Sequence, residues 1–466
     1  MSDAFVEKRY IEEYTINNKY QFTGADVFSY QDRNLLLNSR LRTSILIDDF
    51  CLRQIENNHI GDDLMFKLHQ RDLIRNKNEC VSRKESPVRP KFFFLINLTN
   101  NCNLRCRYCF RQIETSGIDK IGETMLQKIC DYILQYCRNY NIREFSIQFW
   151  GGEPLLLFDK IKAVQEFFWE HHFNPRFILE TNGTLIDREI AEELTKRKIR
   201  IGISIDGPEY LHNLQRPFIS GVGSHQRILQ GLDSLKAAGY NDYGIITVIT
   251  KKNIGKASEI LDYFARELNL HQVKFNIIKK NSFSPESFEL SNISDHEIDN
   301  LFETLIEKII HLNRDGYRIY ERNICDKMIN LLSRRNRNIC SSRGCMGGYK
   351  IISFDGNGDV YPCDMLDNKE VKIGNIAEDS DLVHMIVSSA VKNSFFREKE
   401  KKDCSDCPWN GYCRGGCTAS AVYSKECSVD ERECRVNKIL YPKLIRVLME
   451  DPKAVPYLTN NEVNIL

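Results

Sequence analysis

The chain has 466 residues, 42% hydrophobic and 28% charged, enough to bury a sizeable core across two or three domains. A formal net charge of +1 excludes the broad basic footprint of a nucleic-acid binder or an anionic-membrane binder. No apolar run approaches the roughly 18 residues of a membrane span, and the opening MSDAFVEKRYIEEY carries Glu7, Glu12 and Glu13 with no apolar stretch of a secretory signal. A cytoplasmic protein is expected, and its seventeen cysteines then point to metal or redox chemistry rather than disulfides.

In chain order, NLLLNSRLRTSILIDDFCLRQIENN reads as a strand or two followed by a helix. The next stretch, GDDLMFKLHQRDLI, reads as a second helix closing on an apolar end. The polar, Pro-containing run VSRKESPVRP (81–90) marks the expected domain boundary. Strand and helix patterns then alternate six times, with strands expected at Lys91–Leu98, Glu144–Phe149, Arg176–Glu180, Arg200–Ile205, Gly244–Thr250 and Val273–Ile278. Most are short runs rich in Ile, Val and Phe, as strands covered on both faces require. Helical periodicity lies between them; Leu126, Ile129, Ile133 and Tyr136 form one stripe, with Cys130 and Cys137 on it as buried structural thiols. Six successive units predict an α/β fold with a parallel sheet, open or curved into a partial barrel. A helical stretch near residues 294–313 leads to a cysteine-dense zone, Cys340 to Cys434. The expected domains are 1–90, 91–315, 316–440 and a tail, 441–466.

The chemistry concentrates at strand exits. The run CNLRCRYCF after the first strand gives Cys102, Cys106 and Cys109 on one tight loop. Three thiolates are one fewer than a closed tetrahedral or cubane site takes, so one iron of a [4Fe–4S] cluster stays open to a small ligand. WGGEP (150–154) leaves the second strand, Thr181-Asn182-Gly183 the third, and Ser204-Ile205-Asp206-Gly207-Pro208 the fourth. All lie at carboxyl ends of parallel strands, where α/β folds build their sites. Gly151 and Gly152 permit close backbone approach to a ligand. Glu153 offers a carboxylate to an ammonium group, and Ser204 a hydroxyl to sugar or carboxylate oxygens.

The C-x3-C-x2-C spacing, with aromatic Tyr108 before the last cysteine, resembles the signature of the radical S-adenosylmethionine (SAM) superfamily. That resemblance implies a partial (β/α)6 barrel and a SAM site built from Tyr108, Gly151, Gly152, Glu153, Asn182 and Ser204, with Arg216 as partner of the SAM carboxylate. The runs GDVYPC (358–363) and CPWNGYCRGGC (407–417) resemble the SPASM extension of this superfamily. Carried over, one auxiliary cluster takes Cys340, Cys345, Cys363 and Cys417. The other takes Cys404, Cys407, Cys413 and Cys434, with Cys427 as rival for the last position. The implied cofactors are three [4Fe–4S] clusters and SAM. The implied reaction is one-electron cleavage of SAM to a 5′-deoxyadenosyl radical, which removes a hydrogen atom from the substrate, with the auxiliary clusters accepting an electron.

The first ninety residues resemble the winged-helix-like leader-binding modules of maturases of ribosomally made peptides, most nearly the His-Xaa-Ser type; a helical cap on the barrel is the alternative. The expected partners are a precursor peptide and an electron donor such as flavodoxin or ferredoxin, with no nucleic acid and no membrane. The rival activity is that of anaerobic sulfatase-maturating enzymes, in which an Asp directly after the equivalent of Cys363 is the base; Asp364 is that residue here. A zinc-binding scaffold without activity is the reading from another class, since C-x2-C pairs also suit zinc.

Overall fold

The computed structural model describes residues 7–16, 19–77, 92–109, 120–279, 285–333, 337–338, 340, 345–366, 369–379, 381–388, 404–424 and 430–463. A ten-stranded sheet organises the molecule. The six expected strands are present as β8 (Phe92–Thr99), β9 (Phe145–Gly151), β10 (Arg176–Thr181), β11 (Arg200–Ser204), β12 (Tyr243–Ile249) and β13 (Gln272–Ile277), side by side in sequence order and all parallel. A two-residue strand, β14 (Tyr320–Glu321), extends the far edge.

The near edge was not anticipated. Strand β15 (Ile351–Phe354), from the cysteine-dense zone, pairs parallel to β8, and β16 (Asp359–Tyr361) and β17 (Gly374–Asn375) continue antiparallel. The third zone therefore shares one sheet with the barrel. Its signal was in the sequence: IISF and DVY flank the turn residues DGNG, a hairpin pattern. The expected boundary 81–90 falls outside the described residues.

Helices cover the outer face. Helix Glu123–Asn139 buries Leu126, Ile129, Cys130, Ile133 and Cys137 as its stripe requires. Helix Asp295–Arg314 opens with a capping box, Ser294 and Glu297 each bonding the other's main chain. The expected 441–466 tail is corrected: helix Glu431–Glu450 runs through that boundary and buries Tyr441, Leu444 and Ile445 completely. A last turn, Val455–Leu458, docks near Asp295–Arg314, where Asn313 Nδ2 donates to the Tyr457 carbonyl at 3.0 Å. These apolar residues at three- and four-residue steps were a helix signal, obscured by Pro442, which lies inside the helix.

The N-terminal module also differs from the expected strand or two with two helices. Strands β1 (Glu7–Ile11), β4 (Ala25–Tyr30), β5 (Arg33–Asn38) and β6 (Thr43–Asp48) form an antiparallel sheet in the order β1-β4-β5-β6. Strands β2 (Tyr14–Ile16), β3 (Tyr20–Phe22) and β7 (Ile74–Asn76) form a second sheet, and helices Asp49–Glu56 and Asp62–Gln70 are the two expected ones. Three-residue strands are too short to show a period, and most of β1 is exposed, so neither gives an alternating pattern.

The module does not cap the barrel as a detached unit. The three consecutive leucines of β5 divide between two cores: Leu36 joins Val27, Leu52 and Leu68 inside the module, while Leu35 and Leu37 join the main core. Phe28 stacks on Trp409 at 5.4 Å between ring centres, and Trp409 on Tyr441 at 4.8 Å. Ser44 Oγ donates to the Leu331 carbonyl at 2.7 Å. Replacing the buried Trp409 by alanine removes the middle ring of this stack. We expect a loss of about 3–5 kcal/mol, seen as a lower denaturant midpoint.

Candidate active site

The four strand-exit segments meet on the cysteine loop. Gly152 N donates to Thr99 O at 2.7 Å and Glu153 N to Asn101 O at 2.8 Å. A Cβ at Gly151, where φ is +137°, would lie 2.2 Å from Thr99 O, and one at Gly152 would lie 2.0 Å from Asn101 O. The close approach expected toward a ligand is thus made to the main chain of the cysteine loop. From the other side Arg105 N and Arg107 N donate to Pro217 O and Gln215 O, at 2.8 and 3.0 Å. The loop is clamped between two segments that are distant in sequence.

Glu153 is buried, and its carboxylate accepts from Leu155 N (3.0 Å), Thr181 Oγ1 (2.6 Å) and Asn182 N (2.8 Å). Burial raises its pKa, against these three bonds. A carboxylate has about four lone-pair sites, so roughly one remains for a ligand donor. Asn182 Nδ2 reaches Cys102 Sγ at 3.8 Å and Asn103 Oδ1 at 2.8 Å, while its Oδ1 accepts from Thr184. Ser204 ends β11 half-buried.

Asp206, quoted with the SIDGP run but given no role in the sequence reading, is the hub. It is fully buried; its Oδ2 accepts from Tyr108 Oη (2.6 Å), Arg216 Nε (3.1 Å) and Gln215 Nε2 (3.4 Å), and Oδ1 from Val248 N (2.9 Å). Arg216, expected at the SAM carboxylate, lies with its guanidinium 5.2 Å from the Tyr108 ring centre and Nη1 3.9 Å from Cys106 Sγ. Burial opposes its charge, but Asp206, Tyr108 and Cys106 outweigh that and hold the guanidinium above its ordinary pKa. Only its chemical type was visible in sequence; burial and the Asp206 pair give it a position.

The three thiols Cys102, Cys106 and Cys109 feel one another's charge. Burial pushes Cys102 up to about 11 and Cys106 up to about 12, so both are thiols at neutral pH unless a cation takes the place of the proton. Leu104 N (3.4 Å), Asn182 Nδ2 and Arg216 Nη1 all point donors at these sulfurs. Three soft ligands with N–H donors around them fit an iron–sulfur cluster.

In the third zone Cys340, Cys345, Cys363 and Cys417 form one electrostatic neighbourhood, which Asp364 shares. Cys407 and Cys434 are neighbours; Cys404 is joined to Cys407 by a turn, and Cys413 lies beside Lys327 and Glu433. Cys427 lies outside the described residues. Among the described residues, no three Cys, His, Asp or Glu side chains are drawn together closely enough to hold a single metal ion. Glu180, on β10 just before the Thr181-Asn182-Gly183 run, is a further carboxylate the sequence reading passed over. Enclosure raises its pKa, Asp364 adds to that, and Lys274 and Gln148 oppose it. The residue is nevertheless exposed to solvent.

The family model described as the Radical SAM superfamily matches residues 96–264, and that described as the SPASM iron-sulfur cluster-binding domain matches residues 345–408. The chain belongs to the radical SAM superfamily. It is an enzyme of that superfamily with a SPASM domain, and its cofactors are [4Fe–4S] clusters and SAM. A cysteine-type anaerobic sulfatase-maturating enzyme of Clostridium perfringens (strain 13 / Type A) is 25% identical over 346 residues, 68% of this chain and 86% of that enzyme. Among solved structures, native anSMEcpe with bound AdoMet matches with TM-score 0.65 at 21% identity, covering 76% of this chain and 98% of that one. Streptococcus suis SuiB bound to precursor peptide SuiA matches with TM-score 0.55 at 16% identity, covering 86% and 96%. These likenesses show the shared fold. No described helix is long and apolar enough to cross a membrane.

Two outcomes follow for the radical SAM site. Asp206→Asn leaves Arg216 without its counter-charge and should cost about 3–5 kcal/mol, with loss of SAM-dependent spectral change in the reconstituted protein. The second concerns His212 and His225. His212 Nδ1 accepts from Asp206 N at 3.2 Å, and its Nε2 meets Ser224 Oγ at 3.0 Å, which donates to the Arg216 carbonyl. Burial holds His212 well below 6.5 and also lowers His225. Below pH about 6.5 the unfolded chain then binds protons that the folded one refuses, so stability falls as pH drops. Thermal melts should show this loss in the wild type and a flatter dependence in His212→Gln.

Proposed function

We propose that this radical SAM/SPASM enzyme is a peptide maturase, which oxidatively modifies a ribosomally made peptide, for example by a cross-link. The observation that carries it is the N-terminal module, which precedes the radical SAM match beginning at residue 96 and packs on the cysteine-dense zone through Phe28 and Trp409.

In this reading Cys102, Cys106 and Cys109 hold the first cluster and leave one iron for SAM. Cys340, Cys345, Cys363 and Cys417 hold one auxiliary cluster, and Cys404, Cys407, Cys413 and Cys434 the other. When bound, these groups supply one-electron cleavage of SAM and a route for the electron released by the substrate. The chain supplies placement. Glu153 has one free acceptor site for the SAM amino group, Ser204 faces its polar atoms, and Asp364 takes the proton that the substrate loses. Leu104 N, Asn182 and Arg216 direct donors at the sulfurs.

The sulfatase-maturating relatives share the catalytic framework. The anSMEcpe structure, 98% matched, covers 76% of this chain, which leaves 24% without a counterpart there. The N-terminal module also precedes the radical SAM match, which begins at residue 96, and this supports a separate substrate-recognition role for it. An acidic carrier such as flavodoxin or ferredoxin is the proposed electron donor.

The test is anaerobic reconstitution with dithionite and SAM. Serine at Cys102, Cys106 or Cys109 should abolish 5′-deoxyadenosine release, and the wild type should carry about twelve irons for three four-iron clusters. Asp364→Asn should keep SAM cleavage while losing peptide modification, followed as a change in peptide mass. Full modification by Asp364→Asn removes Asp364 from the mechanism.

A further inference from the structure

A cleft of about 500 Å³ lies where the N-terminal module meets the loop bearing Cys404, Cys407 and Cys413. The module contributes Ser39, Arg40 and Arg75 to its walls, and the loop contributes Ser405, Gly411 and Arg414. Nothing in the catalytic reading uses it.

The cleft is built rather than incidental. A Cβ at Gly411 would lie 1.6 Å from Ser39 O, so the two main chains press directly together. Arg42 Nε donates to the Gly411 carbonyl at 2.8 Å and fastens the two walls. Asn38 sets the turn that carries Arg40: its Nδ2 donates to the Thr23 and Gly24 carbonyls at 3.0 and 2.8 Å, and its Oδ1 accepts from Leu41 N at 3.0 Å. A ligand entering here meets a turn that needs no ordering, which lowers the cost of binding.

Its charge is one-sided. Three guanidinium groups face a single carboxylate, that of Glu13. Arg40 approaches Glu13 only to 3.8 Å, with 87% of its side chain exposed, and Arg75 reaches Gln21 Oε1 at 3.4 Å. Both are longer than the roughly 2.7–2.9 Å of a charge-assisted bond, so both cations retain donors for a stronger acceptor. Paired N–H forks match carboxylates. The volume suits a few side chains of an extended segment; a globular partner needs a broad face of about 800 Å².

We propose that this cleft binds an acidic stretch of the peptide substrate, outside the part that is modified, through carboxylates paired with Arg40, Arg75 and Arg414. The proposal rests on the peptide-maturase reading and adds what that substrate must carry. One segment seated here would touch both the module and the auxiliary-cluster loop.

The probe is a short fluorescein-labelled peptide rich in glutamate, with its glutamine counterpart, added to the reconstituted full-length protein. Fluorescence anisotropy should show binding of the glutamate peptide alone, weakening between low and physiological salt. The double variant Arg40→Glu/Arg75→Glu should weaken it by at least about fivefold. If that variant unfolds by circular dichroism, Arg40→Ala, at a largely exposed side chain, should still weaken binding measurably. Equal binding of the two peptides, or unchanged binding by the folded variants, overturns the proposal. So does a variant that slows only flavodoxin-driven turnover and not dithionite-driven turnover, since the cleft then serves the electron carrier. Dithionite-driven 5′-deoxyadenosine release by the wild type separates the two readings. Its absence sinks the maturase reading whatever the peptide does, and its presence without glutamate selectivity sinks the cleft alone.

Discussion

A single buried carboxylate, Asp206, holds the cysteine loop to the sheet. It sits one residue beyond the Ile205 that follows β11 and takes bonds from Tyr108 on the loop, Arg216 after the next helix, and Val248 on the neighbouring strand. A buried ion pair is stable only when its remaining lone pairs and protons are also satisfied, and here four donors converge on two oxygens. The consequence is positional. Tyr108 immediately precedes Cys109 and follows Cys106 by two residues, so fixing its hydroxyl fixes the pitch of the thiol loop.

The other side of the loop is held by absence of side chains. Gly151 and Gly152 bring the second strand's exit within main-chain contact of Thr99 and Asn101, at a separation any larger residue would forbid. Glu153 then reaches under the loop to Thr181 and Asn182 on the third strand. Three strand ends and the thiol loop thus form one hydrogen-bonded unit, and its polar groups are spent mostly on one another. That leaves few, well-defined acceptors for a ligand, which is how a site selects one orientation of a small charged molecule.

The sheet's six middle strands and the identity of its exit loops were legible because buried parallel strands read as apolar runs and because Cys, Gly and Glu are chemically distinctive. What stayed hidden was everything decided by distance. Asp206 and Glu180 look like ordinary carboxylates in sequence; only the fold shows one enclosed by donors and the other near Asp364. In the N-terminal module the three-residue strands and the exposed β1 carried no readable period, and the leucine triplet of β5 records burial on two sides rather than one. The C-terminal helix was readable but interrupted by a proline that the helix tolerates.

The pairing of β15 with β8 carries a cost during synthesis. The first parallel strand to leave the ribosome keeps one backbone edge bare until the final quarter of the chain supplies Ile351–Phe354. That edge displays Phe93 and Leu95 beside unpaired amides, a template for pairing with another chain. Such distant closure also slows folding. A nascent chain in this state is exposed to aggregation, and the strand that closes the sheet is flanked by Cys345 and Cys363, which lie near each other in the folded chain.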